Sequence, residues 1–335
     1  ATEVFQARAE RLDVSLMAVD EAHCASEWGH HFRPDYLQIP DARAQLGTPP
    51  TVALTATATP AVREDILELL ELPDAVEVVR GFDRPNITWS VFRTDKKWER
   101  LRAVVDAVPG TGIVCVPTRR DAARWRKRLD AHGVSVAAYH GGLDSEAREH
   151  RQQAWVDDDV RVMVATNAFG MGIDKPDVRF VAHLDVPKTL EAYYQETGRA
   201  GRDGRPATAW MAYRRGDVVR MRQLIDDSAE NDEHRWTQRH KLNALLGYCE
   251  APDCRRKVLL NYFGEDMGGD TCGNCDNCLR PPDTWEGTTA AQKALSCIAR
   301  TGQRFGSGHV TDVLLGKDTE KIQRHDHDTV STYGI

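Results

Sequence analysis

The chain has 335 residues, 41% of them hydrophobic, and a formal net charge of -7. This apolar content supports buried cores and excludes a disordered chain, and the length suggests about two domains. The acidic balance argues against a simple basic nucleic-acid coat protein, and no apolar run approaches the ~18 residues of a membrane span.

The N-terminal residues lack the apolar stretch of a signal peptide. A strand is predicted over residues 15–19, ending in Asp20 and Glu21. A second, over 51–55, leads into an amphipathic helix over 61–70. Between 72 and 86 the pattern loosens, with Pro73, Gly81 and Pro85, and a domain boundary is expected near 85–95. Strands then alternate with helices: strand 112–116, helix 121–131, strand 134–139, helix 144–156, and strands 160–165 and 179–184. Such alternation predicts βαβ units and a parallel sheet. Helical stretches and a cysteine cluster follow over 223–283, and a last helix is expected over 289–301.

Four segments carry chemistry. Asp20-Glu21-Ala22-His23 closes the first strand. There one carboxylate can hold Mg²⁺ and the next can orient or deprotonate a water. A solvated acidic turn is the competing reading. The second segment is Thr55-Ala56-Thr57-Ala58-Thr59-Pro60, which also suits a plain strand-to-helix connection. The third runs from Val164 to Asp174. Its glycines allow close approach of backbone to a ligand, and Asp174 can accept hydrogen bonds from a ribose. The fourth runs from Gln195 to Gly204. Arginines fixed among its glycines can reach a γ-phosphate and stabilise transition-state charge.

All four occur in one order, each after a predicted strand or opening a helix. In this the sequence resembles superfamily 2 helicases. It resembles RecQ-family DNA helicases more closely, through Asp20-Glu21-Ala22-His23-Cys24 continuing as Ser26 to Tyr36, through Gly81-Phe82-Asp83-Arg84-Pro85-Asn86, through Tyr139-His140-Gly141-Gly142-Leu143, and through Tyr193 to Gly204. The resemblance covers almost the whole chain. It implies that Asp20 binds Mg²⁺, that Glu21 activates water, and that His23 couples the ATP site to an aromatic-rich loop. In that loop Trp28, Phe32 and Arg33 would contact single-stranded DNA, which suits the sequence-tolerant stacking of bases on aromatic faces. Thr166 would touch the DNA backbone, and Gly172 and Asp174 the nucleotide. Arg202 is the first candidate for an arginine finger and Arg199 the second, with Gln195 in support. His31 stands where the family usually has an acidic residue, which puts the placement of Arg33 in question.

Cys272, Cys275 and Cys278 place three thiols in seven residues, with Cys254 and Cys249 both available as a fourth ligand. Without a secretory signal such a cluster reads as a metal site, with Cys₄ zinc the usual structural form and an iron–sulfur cluster the minor alternative. The resemblance to RecQ zinc domains, through Cys254-Arg255-Arg256 and Leu259 to Gly264, picks Cys254 and leaves Cys249 a partly buried side chain. Arg255 and Arg256 read as phosphate-facing or solvated. His309, His325 and His327 invite a second metal site, but their charged surroundings favour solvated surface. Residues 312–335 resemble the opening of a winged helix.

No Gly-x-x-x-x-Gly-Lys-Ser/Thr phosphate loop occurs in these residues. The expectation is therefore a piece of a longer RecQ helicase, without ATP turnover by itself. The expected fold is α/β: RecA-like parallel sheets, one partial over 1–88 and one complete over 89–222, then a helical zinc-binding domain over 223–283 and the start of a winged helix over 284–335. The implied function is ATP-dependent, 3′-to-5′ unwinding of DNA in repair and recombination. Its cofactors would be structural Zn²⁺, with Mg²⁺ and ATP in the intact protein. Its partners would be single-stranded DNA and duplex junctions, with no membrane, and its location the bacterial cytoplasm in association with the nucleoid. A non-catalytic DNA-binding chain and an RNA helicase are the alternatives.

Overall fold

In the computed structural model, described over residues 8–9, 11–26, 28–29, 32–169, 174–229 and 231–335, strand β1 (Met17–Val19) pairs in parallel with β2 (Thr51–Ala53). Between them run two 3-10 turns, Ala22–Ala25 and Pro34–Gln38, and helix α1 (Ile39–Gln45). Helix α2 (Pro60–Leu69) follows β2. The Thr59 hydroxyl accepts from the Val62 N–H, and Pro60 occupies the first turn, where a missing N–H costs nothing. Val62, Ile66 and Leu70 pack with Val19, Ala22, Ala25 and Ala58 as the core of this part.

The second sheet has six parallel strands. In chain order the elements are β3 (Ile87–Arg93), α3 (Lys97–Ala107), β4 (Thr111–Cys115), α4 (Arg119–Ala131), β5 (Val136–Tyr139), α5 (Ser145–Val156), β6 (Val162–Ala165), β7 (Val178–His183), α6 (Leu190–Thr197) and β8 (Ala207–Tyr213). The strand order is β3-β8-β7-β4-β6-β5. All four residues of β6 are buried, as expected of a parallel strand covered on both faces. The sequence pattern did not reveal β3 or β8. The expected boundary at 88/89 falls inside β3, whose register with β8 begins at Ile87 opposite Ala207.

Helices α7 (Arg215–Ser228), α8 (Asp232–Glu250), α9 (Arg255–Tyr262) and α10 (Asp276–Leu279) complete the first of two compact units, Ala1–Pro281. The expected boundary at 222/223 falls inside α7. Leu242, Leu245 and Tyr248 of α8 join Trp89 and Tyr193 in the core on one face of the sheet. The cysteine-rich segment covers edge strand β3. The Val91 N–H donates to Asp276 Oδ2 at 2.8 Å, and the Thr88 hydroxyl bonds Asn274 Oδ1 at 2.8 Å. An uncovered edge would offer unpaired backbone groups to other chains.

The second unit, Pro282–Ile335, contains α11 (Thr288–Arg300), α12 (Ser307–Leu314) and α13 (Glu320–Arg324). Cys297, Val310, Val313 and Ile322 form its core. Here the expectation of solvated histidines is corrected. His309 and His327 are buried, with His309 Nε2 2.7 Å from His327 Nδ1 and Phe305 stacked on His309 at 4.4 Å. Pairing satisfies polar nitrogens that open solvent was expected to satisfy. Among the described residues no helix is long and apolar enough to cross a membrane.

Candidate active site and metal centre

Asp20 and Glu21 lie just beyond β1, at the carboxyl end of a parallel strand, where ligands of open α/β sheets bind. Glu21 has φ 50°, an uncommon left-handed conformation for a residue with a side chain. The Ala22 N–H donates to the Leu54 carbonyl at 2.9 Å and the Glu21 N–H to Asp20 Oδ1 at 2.8 Å, which hold the turn. Glu21 Oε2 lies 3.3 Å from His23 Nδ1, and that nitrogen is 3.0 Å from Thr55 Oγ1. The predicted Thr-rich connection thus anchors the histidine.

Glu21, His23 and Arg33 line a cleft of about 900 Å³ whose other wall includes Asp174, Gln195, Arg199 and Arg202. Gln195 Nε2 reaches 3.5 Å from Glu21 Oε1. Burial raises the Glu21 carboxyl above its ordinary 4.5, as does Asp20, while Arg199 and Arg33 pull it down. Burial likewise lowers the pKa of Arg199. A largely buried arginine opposite a partly buried carboxylate is a setting in which charge interactions are stronger than in open water.

The wall bearing the arginines is built from α6 and the turn after it. Thr189 caps α6 through its hydroxyl. On the buried side, His183 Nε2 and Glu196 Oε2 lie 2.5 Å apart. The Arg84 guanidinium donates to the carbonyls of Gly198, Ala200 and Gly201 at 2.9, 2.8 and 3.1 Å, and Asn86 Nδ2 donates to Gly201 at 2.8 Å. Gly201 has φ 58°, and a Cβ there would meet Asn86 Nδ2 at 2.5 Å. Arg202 Nη1 pairs with Asp174 Oδ1 at 2.9 Å, so two residues expected at the nucleotide hold each other. Gly172 and His31 lie outside the described residues. Thr166 follows β6, its N–H donating to the Tyr139 carbonyl at 3.1 Å, and it is not among the cleft-lining residues.

Sequence reasoning assigned no role to Arg84, Asn86, His183 or Glu196. Arg84 and Asn86 sit in the family-like run from Gly81 to Asn86, which was the available signal. Glu196 likewise sits in the family-like run from Tyr193 to Gly204, whereas His183 carried no signal, because its pairing depends on a strand and a helix meeting.

The aromatic-rich loop connects the same carboxylate turn to α8. The Arg33 N–H donates to the Cys24 carbonyl at 2.8 Å, the Gly29 N–H to the Ser26 carbonyl at 2.9 Å and the Trp28 N–H to Ser26 Oγ at 3.0 Å. Ser26 itself bonds Asp65 on α2. Gly29 is required by close approach, since a Cβ there would lie 2.0 Å from the His23 carbonyl oxygen. Trp28 is 40% exposed, Phe32 is half-buried and Arg33 is exposed.

The thiols of Cys254, Cys272, Cys275 and Cys278 all lie within 4.8 Å of one another. Cys254 and Cys275 stand at the N-termini of α9 and α10. The Arg255 N–H points to Cys275 Sγ and the Asn274 N–H to Cys272 Sγ, both at 3.4 Å, donors that suit thiolate ligands. Four sulfurs leave no open coordination position, so the site is structural in kind. Cys249 is outside the set and buried, with Sγ 3.7 Å from Met211 Sδ. The reading of Arg255 and Arg256 as phosphate-facing or solvated is corrected, because both are buried. Arg255 pairs with Asp276 at 3.0 Å. Arg256 pairs with Asp83 at 3.3 Å and donates to the Ile87 carbonyl at 3.0 Å. They tie the metal segment to β3 and to the run holding Arg84.

Three family models match in tandem: the helicase conserved C-terminal domain over residues 96–204, RecQ zinc-binding over 215–279 and the RQC domain over 281–335. The chain is 45% identical over 323 residues to the ATP-dependent DNA helicase RecQ of Haemophilus influenzae, covering 96% of this chain and 52% of that protein. The chain belongs to the RecQ family. RecQ of Bacillus subtilis is 41% identical over 326 residues, with 97% of this chain and 55% of that protein covered. The chain therefore spans about half the length of these curated RecQ relatives. Among solved structures, a variant of Saccharomyces cerevisiae Dbp5 bound to RNA and ADP BeF3 aligns with TM-score 0.50 and 20% identity over 69% of this chain and 63% of that one, a likeness of fold. The RecQ zinc-binding match contains all four clustered cysteines, and with their geometry it makes the cluster a structural zinc site.

Proposed function

We propose that these residues form part of an ATP-dependent DNA helicase that unwinds duplex DNA with 3′-to-5′ polarity in repair and recombination. The observation that carries this reading is the cleft in which Glu21, from one sheet, faces Gln195, Arg199 and Arg202, beyond the other. A nucleoside triphosphate with Mg²⁺ placed there would meet both an activating carboxylate and transition-state cations. Asp20 holds the metal ion, Glu21 orients the attacking water, and Arg199 and Arg202 reach the transferred phosphoryl group. Asp174 and Gly172 contact the nucleotide. His23 links this centre to the loop of Trp28, Phe32 and Arg33, which together with Thr166 engages single-stranded DNA at a junction. Hydrolysis changes how the two walls close, and the loop passes that change to the strand. We infer the bacterial cytoplasm, in association with the nucleoid, as the protein's location from the likeness to bacterial RecQ proteins.

The phosphates themselves need a cradle. The reading assigns turnover to a protein that carries these residues together with a phosphate loop, and none to the 335 residues alone. A strand-displacement assay on duplexes with 3′ or 5′ single-stranded tails tests it. ATP-dependent unwinding confined to 3′-tailed DNA is expected from the longer protein. Preferential unwinding of RNA, or robust ATP hydrolysis by the 335 residues alone, contradicts it.

A further inference from the structure

On α8, beside the aromatic-rich loop, stands a second tryptophan. Trp236 is 59% exposed, and its ring lies 5.9 Å from that of Trp28, with the two planes at 89°. One turn further along α8, the imidazole of His240 stacks on the Trp236 indole at 5.3 Å and 14°. Lys241, the next residue, is buried and donates to the Gly29 carbonyl at 2.8 Å, which fixes the loop to this helix. Exposed indoles are costly to leave in water, and two held edge-to-face by a buried lysine anchor form a built surface.

We propose that Trp236, backed by His240, extends the surface of Trp28 into a stacking platform for unpaired DNA. The proposal rests on the reading of the aromatic-rich loop as a DNA contact and adds a residue from α8 to it. The perpendicular indoles present faces in different directions. Bases stacked on both must turn relative to one another, which an unpaired strand can do and a stacked duplex cannot.

The neighbouring charges define what kind of contact this is. Arg239 is paired bidentately with Asp226 at 2.9 and 2.7 Å, and Arg235 is paired with Asp232. These cations are already matched by carboxylates. The contribution of Trp236 is therefore base stacking, which is insensitive to salt, rather than phosphate contact, which is not.

The test is fluorescence anisotropy of the 335-residue chain with a labelled oligothymidylate and with a blunt duplex, across a series of salt concentrations. Trp236→Ala is expected to weaken oligothymidylate binding about tenfold, in the range set by one stacked base, while leaving the salt slope and duplex binding unchanged. Trp236→Phe is expected to restore most of the affinity. An unchanged thermal midpoint of the alanine variant shows that the exposed site is not needed for folding. If Trp28→Ala weakens binding and Trp236→Ala does not, the platform is refuted and the loop reading stands. If neither substitution has an effect, the loop reading itself fails. Equal loss on single-stranded and duplex DNA also refutes the platform.

Discussion

Lys241 donates to the carbonyl oxygen of Gly29 at 2.8 Å, joining α8 to the loop that begins at the candidate catalytic turn. The ammonium is buried, and its removal leaves that carbonyl without this donor. Lys241→Met is expected to cost about 1–3 kcal/mol, the penalty of an unsatisfied buried polar group. Urea denaturation measures this. The same variant loosens the loop, so DNA stimulation of ATP hydrolysis in the longer protein falls more than basal hydrolysis does.

Arg84 lines the same cleft, and its guanidinium is committed to the arginine turn. Its three donations to Gly198, Ala200 and Gly201 fix the backbone from which Arg199 and Arg202 project. Arg84→Ala is expected to lower stability by about 2 kcal/mol, in line with lost charge-assisted hydrogen bonds. Arg84→Lys restores little, because an ammonium cannot reproduce a planar fork bonded to successive carbonyls. Denaturation curves of the two variants, read beside their ATPase rates, check both statements.

Zinc removal acts on more than the cysteines. Asn274 and Asp276, inside the metal segment, cover the edge of β3. A chelator, or Cys254→Ser, is expected to release the metal and expose that edge, with aggregation following. Elemental analysis of the intact chain is expected to give one zinc per chain in a colourless protein. Light scattering after chelation checks the second step.

The buried His309–His327 pair gives the C-terminal unit a pH dependence with a defined sign. Burial lowers both imidazoles below the ordinary 6.5. His327, Lys321 and His325 add to the effect on His309, and His325 and Arg304 to that on His327, while Asp312 and Asp326 offset it in part. The unfolded chain therefore takes up protons first as pH falls. Stability is full above about 6.5 and declines below it. Hydrogen-exchange protection of residues 307–314, corrected for the base-catalysed intrinsic rate, is expected to be lower at pH 5.5 than at pH 7.5. His327→Gln is expected to weaken that dependence.

The sequence made the chemistry legible where backbone and side chain signal together. The carboxylate turn, the Gly-Arg turn and the cysteine knuckle each announce themselves through glycine or spacing, and the strands from 112 to 184 through short apolar runs. Strand β3 was hidden because Thr88 and Ser90 break the continuous apolar run of a buried parallel strand, and its partners Asn274 and Asp276 in the metal segment are 186 and 185 residues away in sequence. Strand β8 was hidden by small residues, Ala207, Ala209 and Ala212. Arg255, Arg256, His309 and His327 misled for one shared reason. Polarity predicts exposure, and their burial depends on partners that only the fold supplies: Asp276, Asp83 and, for the histidines, each other.

The central claim is that Glu21 and Arg199 act on one nucleotide across one cleft. DNA-stimulated ATP turnover by the longer protein tests it most directly, measured for Glu21→Gln, Arg199→Ala and the double variant. Each single substitution is expected to lower kcat on the order of a thousandfold, with nucleotide binding retained. The double variant is expected to be scarcely worse than either, because residues acting as a unit are not additive. An Arg199→Ala variant with wild-type turnover would contradict the account, as would losses that simply multiply in the double variant.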